Sequence, residues 1–215
     1  MGFESGAIMR IAVFGATGTV GQHIVEQALA RGYEVTALTR DAGRITRTHD
    51  NLHIVEGDVL DPGAVERTVY GQDAVLVALG NGRKGVVRAE GTRTVVEAMN
   101  RTGVKRLICQ STLGAGDSRA NLNFVWKYIM FGLLLRPAYA DHQQQESYVR
   151  ASGLEWTIVR PSAFTDGPRT GTYRRGFGAD EKGLSLKIAR ADIAEFLLDQ
   201  ITDRTYVRRA PGISH

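Results

Sequence analysis

The chain has 215 residues, enough for one domain with a substantial core. Hydrophobic residues make up 43% of it and charged residues 23%, which is ordinary for a globular protein and excludes a low-complexity or fibrous class. The net charge of +4 comes from scattered Lys and Arg residues, so it predicts no nucleic-acid partner. A lone cysteine, Cys109, excludes an intramolecular disulfide framework and favours a reducing cytoplasmic setting.

Targeting and membrane segments are not predicted. Residues 1–8 (MGFESGAI) have no basic start and too short an apolar stretch for a secretory signal, so we interpret them as a disordered leader. Residues 9–215 then form the single domain. The apolar run of residues 128–135 is eight residues long, well under the roughly 20 that an integral span needs.

The first chemical signal is the stretch RIAVFGATGTVG, residues 10–21. It reads as a buried strand, a glycine turn and a helix, which is the context that a dinucleotide-binding fingerprint requires. Although the spacing is GxxGxxG, the three glycines permit a tight turn, close approach to a pyrophosphate and close helix packing. The free N–H groups of the helix then hold the phosphates. The predicted cofactor-binding residues of this stretch are Gly15, Thr17, Gly18, Thr19, Val20 and Gly21.

The end of the second strand, residues 33–38, bears on the choice of nicotinamide cofactor. A site selective for NAD places Asp or Glu here to bond the ribose 2′-hydroxyl. This chain instead has Arg40 and, shortly after it, Arg44, which suit a 2′-phosphate. Asp41 opposes that interpretation, and both arginines could also be solvated loop residues. We predict NADP(H) as the cofactor.

The next two strands add cofactor contacts. After the third strand, residues 52–56, Asp58 and Val59 come where an adenine ring would lie, although Asp58 could simply cap its turn. The fourth strand, residues 74–79, ends in the run ALGNGRKG, so Leu79 and Gly80 are candidates for backbone contact.

Polar residues also follow the fifth and sixth predicted strands, residues 104–110 and 154–159. Ser111 and Thr112 follow the fifth, and Pro161 and Ser162 come just after the sixth. The alternation of strands and helices predicts an α/β fold, a Rossmann-like doubly wound parallel sheet in a single domain. Ligands bind such folds at the carboxyl edge of the sheet, where these residues would meet.

The regular alternation is interrupted at residues 114–140. A polar loop is followed there by the strongly apolar stretch FVWKYIMFGLLLRP. Its place after Ser111 and Thr112 suggests a lid-like insertion over the nicotinamide pocket. A core helix, a self-association surface and a peripheral membrane contact remain alternatives.

The motifs GATGTVG, GDV, ALG, STLGA and SGLEWTIVRP together resemble those of the atypical short-chain dehydrogenases/reductases. Within that superfamily, YEVTALTRD, VYGQDAV and DGPRTGTY make the chain most similar to the flavin reductase/biliverdin reductase B group. The resemblance covers nearly the whole chain and implies a Rossmann domain that binds NADPH. It also implies reduction of flavins or other planar quinone-like or tetrapyrrole acceptors.

Two departures from these families bear on the chemistry. Members with a Tyr-xxx-Lys pair use the tyrosine as an acid, but here His142 stands at the lysine place and Ala138 at the tyrosine place, with Tyr139 out of register. A histidine at this place matches the flavin reductase group. A second histidine of that group's pocket aligns with Ala163 here, which argues against biliverdin itself as the substrate.

Flavin reduction needs little acid–base machinery, because the cofactor carries the chemistry. FMN or riboflavin would then be a substrate and not a prosthetic group. Ser111 or Thr112 would orient the nicotinamide or the acceptor, and His142 would donate a proton or stabilise an anionic substrate. Ser111 could instead bond backbone, and His142 could be a helix-surface residue without chemistry.

The predicted partner is a small planar acceptor, with no metal and no nucleic acid, in a monomer or a weak homodimer. A non-catalytic NADP(H)-sensing regulatory or assembly protein is the alternative. A sugar-nucleotide epimerase is disfavoured because it needs the missing tyrosine.

Overall fold

The protein is built around one large, mostly parallel sheet. A computed structural model, which describes residues 8–80, 85–178, 181 and 183–215, defines its strands. They are β1 (Arg10–Phe14), β2 (Glu34–Thr39), β3 (Leu52–Glu56), β4 (Ala74–Val77), β5 (Arg106–Gln110), β6 (Glu155–Pro161), β8 (Arg174–Arg175) and β10 (Gly212–Ser214). Their order is β3-β2-β1-β4-β5-β6-β10-β8, and the described pairings are parallel apart from β8 with β10. The order 3-2-1-4-5-6 confirms the predicted doubly wound, Rossmann-like fold. Two further short strands, β7 (Ala163–Thr165) and β9 (Lys187–Ala189), pair with each other.

Helices cover both faces of the sheet. They are α1 (Gly21–Ala30), α2 (Pro62–Val69), α3 (Val87–Thr102), α4 (Arg136–Ala151) and α5 (Arg190–Asp199). Helices α1 and α5 pack together over one face, where Ile24 and Phe196 are buried with Ile11 of β1. Helices α2, α3 and α4 cover the other face, where Phe14 is buried. Because successive strand residues point to opposite faces, a strand covered on both sides reads as an unbroken apolar run.

The sheet topology places the functional residues at one edge. The chain leaves β1 toward β2 and returns across it to β4, so the strand order reverses between β1 and β4. At such a switch point the loops diverge and leave a crevice beyond the carboxyl ends of the strands. The loops after β1, β2, β4, β5 and β6 all meet at this edge.

Residues 114–140 have an unusual local structure. A 3₁₀ turn, Gly116–Asn121, leads into a π-helix, Val125–Leu134. Helix α4 begins at Arg136, and Pro137 is well placed in its first turn. The outward side chain of Leu133 is 73% exposed, so the core-helix alternative is wrong. Motion of this segment as a lid stays a prediction.

Two predicted features fall partly outside the described residues. These are residues 1–7 of the leader and residues 81–84 of the run NGRKG. Ile8, the first described residue, is exposed. No helix in the described part of the chain is both long enough and apolar enough to cross a bilayer.

Candidate cofactor and substrate site

The glycine turn after β1 is shaped by close backbone contacts. Gly15 has φ +91°, and a Cβ there would lie 2.3 Å from the carbonyl oxygen of Ala78. A Cβ on Gly21 would lie 2.0 Å from the carbonyl oxygen of Gly15, whereas one on Gly18 would meet the same atom at 3.1 Å. Gly15 and Gly21 are therefore required by the protein's own packing. Gly18 lines the cavity and keeps its surface free for a ligand.

A cavity of about 440 Å³ lies in front of this turn, at the carboxyl edge of the sheet. Val20, the N-cap residue of α1, lines it, and no side chain caps this end of the helix, as a phosphate site requires. The predicted cofactor-binding residues in its lining are Gly15, Thr17, Gly18, Thr19, Val20, Arg40, Arg44, Asp58, Val59, Leu79, Gly80 and Ser111. The glycine cradle and the uncapped helix end fit the phosphates of a dinucleotide, and Arg40 and Arg44 line the same cavity.

Three predicted cofactor-binding residues do not line this cavity. Gly21 packs behind the turn, against Gly15. Pro161 and Ser162 line a neighbouring cavity instead. This difference arises because β6 extends to Pro161 and carries both residues past the first cavity.

Asp41, one residue after Arg40, caps a turn and is not in the lining of the cavity. The Asp41 carboxylate accepts a hydrogen bond from the N–H of Gly43 at 3.0 Å, which caps the 3₁₀ turn Ala42–Arg44. Asp58 also caps its own turn, since its Oδ1 accepts from the N–H of Leu60 at 2.9 Å, yet it remains in the cavity lining. The two readings of Asp58, a turn cap and an adenine contact, are therefore compatible.

Ser111 belongs to a buried ionic network that the sequence did not reveal. Its Oγ donates to Glu146 Oε1 at 2.8 Å, and Arg160 donates to the same carboxylate from Nε at 2.9 Å and Nη2 at 2.7 Å. Arg160 is 1% exposed and also lies 2.5 Å from Asp117 Oδ1, which holds the pKa of Asp117 below its usual range. Gly116 makes room for this guanidinium, because a Cβ there would lie 2.4 Å from Nη2. With its proton directed at Glu146, the Ser111 hydroxyl can only accept from a ligand.

A second cavity of about 260 Å³ adjoins the first. Four residues line both: Arg88, Thr112, His142 and Phe164. Its walls are mostly apolar and include Leu122, Trp126 and Leu135, which come from residues 114–140. The predicted insertion therefore forms one wall of this cavity.

His142 lies on α4 and faces both cavities, so it is not an ordinary surface residue. Burial, aided by the charge of Arg88, lowers its pKa from 6.5 to about 4. The imidazole is therefore neutral at pH 7 and carries no charge for an anionic substrate. Its Nδ1 lies 3.2 Å from Gln145 Oε1, and the Gln145 amide nitrogen donates to Thr92. These contacts hold the imidazole in place, and its role in proton transfer stays a prediction.

No tyrosine takes the acid's place beside His142 in the described site. Ala138 lines the second cavity with a methyl group. The hydroxyl of Tyr139 donates to the carbonyl of Gly114 at 3.0 Å, which holds the start of the insertion against α4. Tyr139 also lines the second cavity, together with His142.

Comparisons with known proteins agree with this geometry. Residues 15–204 match the model of the NAD(P)H-binding family. The chain is 33% identical over 177 residues to the chloroplastic protein At2g34460 of Arabidopsis thaliana, covering 75% of this chain but only 61% of that relative's length. It is 29% identical over 210 residues to UPF0659 protein YMR090W of Saccharomyces cerevisiae, covering 90% of this chain and 87% of that one.

A similar solved structure is ChuY, an anaerobillin reductase from Escherichia coli O157:H7. It is 25% identical, with a TM-score of 0.80 over 96% of this chain and 97% of ChuY. The chain belongs to the NAD(P)H-binding family, and its lack of a Tyr–Lys pair agrees with its place among the atypical short-chain dehydrogenases/reductases.

Proposed function

We propose that the protein is an NADPH-dependent reductase of planar acceptors, namely flavins, quinone-like compounds or tetrapyrroles. The observation that carries this proposal is the junction of two unlike cavities. One has the glycines and arginines for a dinucleotide, and the other is a mostly apolar chamber. Their shared lining residues would bring the nicotinamide end of the cofactor next to an acceptor in that chamber.

The proposed role of each group follows from its position. Arg40 and Arg44 hold the 2′-phosphate, and Asp58 with Val59 borders the adenine. Ser111, oriented by Glu146, accepts a hydrogen bond from the bound cofactor or acceptor.

Bound NADPH supplies the hydride and its two electrons. The protein then has to orient the two reactants and leave the acceptor side accessible to solvent protons. Within its described lining, the second cavity holds no carboxylate, and His142 is neutral at pH 7. This lining suits a reaction in which the protein does not have to supply an acid. The name of ChuY as a reductase supports the same class of reaction.

The acceptor screen is the first test. NADPH oxidation is followed at its absorbance band after addition of FMN, riboflavin, a water-soluble quinone or a linear tetrapyrrole. Turnover with at least one of them is expected. Tight NADP(H) binding with no turnover of any acceptor would contradict the proposal and favour the non-catalytic NADP(H)-sensing alternative.

Cofactor preference is the second test. Arg40→Asp should weaken NADPH binding by about tenfold to a hundredfold and leave NADH binding nearly unchanged, because only NADPH has the 2′-phosphate. Arg67→Asp is the matched control, since Arg67 is also exposed but lies on α2 outside the cavity. Equal losses for the two cofactors, or equal effects of the two variants, would refute the 2′-phosphate assignment.

A further inference from the structure

The π-helix separates its apolar side chains into two stripes. The outward stripe consists of the exposed pairs Phe124–Val125, Tyr128–Ile129 and Leu133–Leu134. These pairs recur at intervals of four and five residues, which matches the wide turn of a helix with i to i−5 hydrogen bonds. One such bond joins the N–H of Leu135 to the carbonyl of Met130 at 2.7 Å. The outward stripe is therefore continuous along the whole helix.

The inward stripe has the same period. Trp126, Met130 and Leu135 are at least partly buried, and Trp126 and Leu135 line the second cavity. One short helix thus presents an apolar surface to the outside and an apolar wall to the cavity.

The charged residues within the segment that carries the outward stripe are of one sign. Between Asp117 and Asp141 the charged residues are Arg119, Lys127 and Arg136, all basic. A second copy of the chain would bring like charges together, because a two-fold interface places the same patch on both subunits. An anionic lipid surface complements both the apolar side chains and the basic residues.

We infer that this π-helix docks on an anionic lipid bilayer, and that the acceptor of the second cavity is an apolar carbonyl compound of quinone type dissolved in that bilayer. The second half of this inference rests on the proposed function. The mostly apolar walls of that cavity, which include Leu122, Trp126 and Leu135, support it. Reduction of the quinone to hydroquinone takes one hydride, with two electrons, and one proton from solvent.

The docking test uses the full chain and lipid vesicles without NADPH. Co-sedimentation is measured with vesicles of phosphatidylcholine alone and of phosphatidylcholine mixed with phosphatidylglycerol. Binding to the mixed vesicles is expected, at least about tenfold tighter than to phosphatidylcholine alone. Leu133→Asp should weaken it about tenfold or more, because Leu133 is, at 73%, the most exposed residue of the outward stripe. Tyr70→Asp is the control, since Tyr70 is 76% exposed but lies before β4, at the opposite edge of the sheet.

Three results would overturn the docking inference. They are no binding to the mixed vesicles, equal effects of Leu133→Asp and Tyr70→Asp, or a dimer in analytical ultracentrifugation that Leu133→Asp dissociates. The dimer would mean that a second copy occupies the stripe.

Turnover separates this inference from the proposed function. Leu133→Asp should lose reduction of a long-chain quinone held in mixed vesicles and keep reduction of a water-soluble quinone. If Leu133→Asp still reduces both quinones, delivery of the acceptor from the bilayer is refuted. Absence of turnover with every acceptor, with vesicle binding intact, would refute the reductase and the acceptor assignment but leave the docking surface standing.

Discussion

Replacement of Glu146 by glutamine should strongly destabilise the protein and misorient Ser111. Glu146 is 4% exposed, and its carboxylate accepts from both Arg160 and Ser111. Glutamine has nearly the same volume but no charge. Its amide nitrogen is a donor, and it would replace a carboxylate oxygen that accepts hydrogen bonds. The Arg160 guanidinium would then stay buried with Asp117 as its remaining carboxylate in this network.

The expected cost follows from this burial. Removal of one partner of a buried ion pair costs about 3–5 kcal/mol. Because the contact of Arg160 with Asp117 remains, we expect the lower end, about 3 kcal/mol. For a domain of this size the corresponding fall in Tm is about 6–12 °C.

Thermal unfolding followed by circular dichroism measures the effect. Glu155→Gln is the matched control, because Glu155 pairs with Arg204 through side chains that are 39% and 59% exposed. Exposed pairs contribute at most about 1 kcal/mol, so its Tm should fall by no more than about 4 °C. Turnover below the melting range should also fall in Glu146→Gln and not in the control. If both variants melt alike, the buried network does not stabilise the fold as argued.

Three other outcomes are expected from the same structure. Gly18→Ala should keep the Tm within about 1–2 °C and weaken NADPH binding, whereas Gly21→Ala should lower the Tm itself, because its Cβ would overlap the Gly15 carbonyl. Binding titrations and melting curves distinguish the two variants, and equal Tm values would refute the distinction. The pKa of His142 is about 4 in the folded protein and 6.5 in the unfolded chain, so the unfolded chain takes up a proton first as the pH falls. The free energy of unfolding should therefore decrease between pH 6.5 and pH 4, by at most about 3 kcal/mol. Denaturant titrations across this range should show a smaller loss in His142→Gln and an unchanged one in His49→Gln, which alters an exposed histidine. Asp141→Asn should lower the Tm, because the buried carboxylate accepts from the N–H groups that begin α3, including that of Ala89 at 2.9 Å; an unchanged Tm would show that this trans cap adds nothing.

The sequence by itself determined the sheet and the cofactor cradle. The apolar run of β1, the three glycines and the helical spacing of α1 are neighbours in the chain, so their conformations depend on local sterics and hydrogen bonding. The same holds for Arg40 at the end of β2. Strand alternation then predicted a doubly wound parallel sheet, since parallel strands need crossover connections of fixed handedness.

Tertiary structure decided the chemistry around the substrate. Glu146 meets Ser111 and Arg160 across separations of 35 and 14 residues, and the depressed pKa of His142 comes from burial by elements that are distant in sequence. The assignment of Ser162 to the second cavity and the division of the π-helix into two stripes likewise depend on how far β6 extends and how the insertion packs. Local patterns cannot specify such features, because burial and the pairing of charges are properties of the assembled packing and not of any one segment.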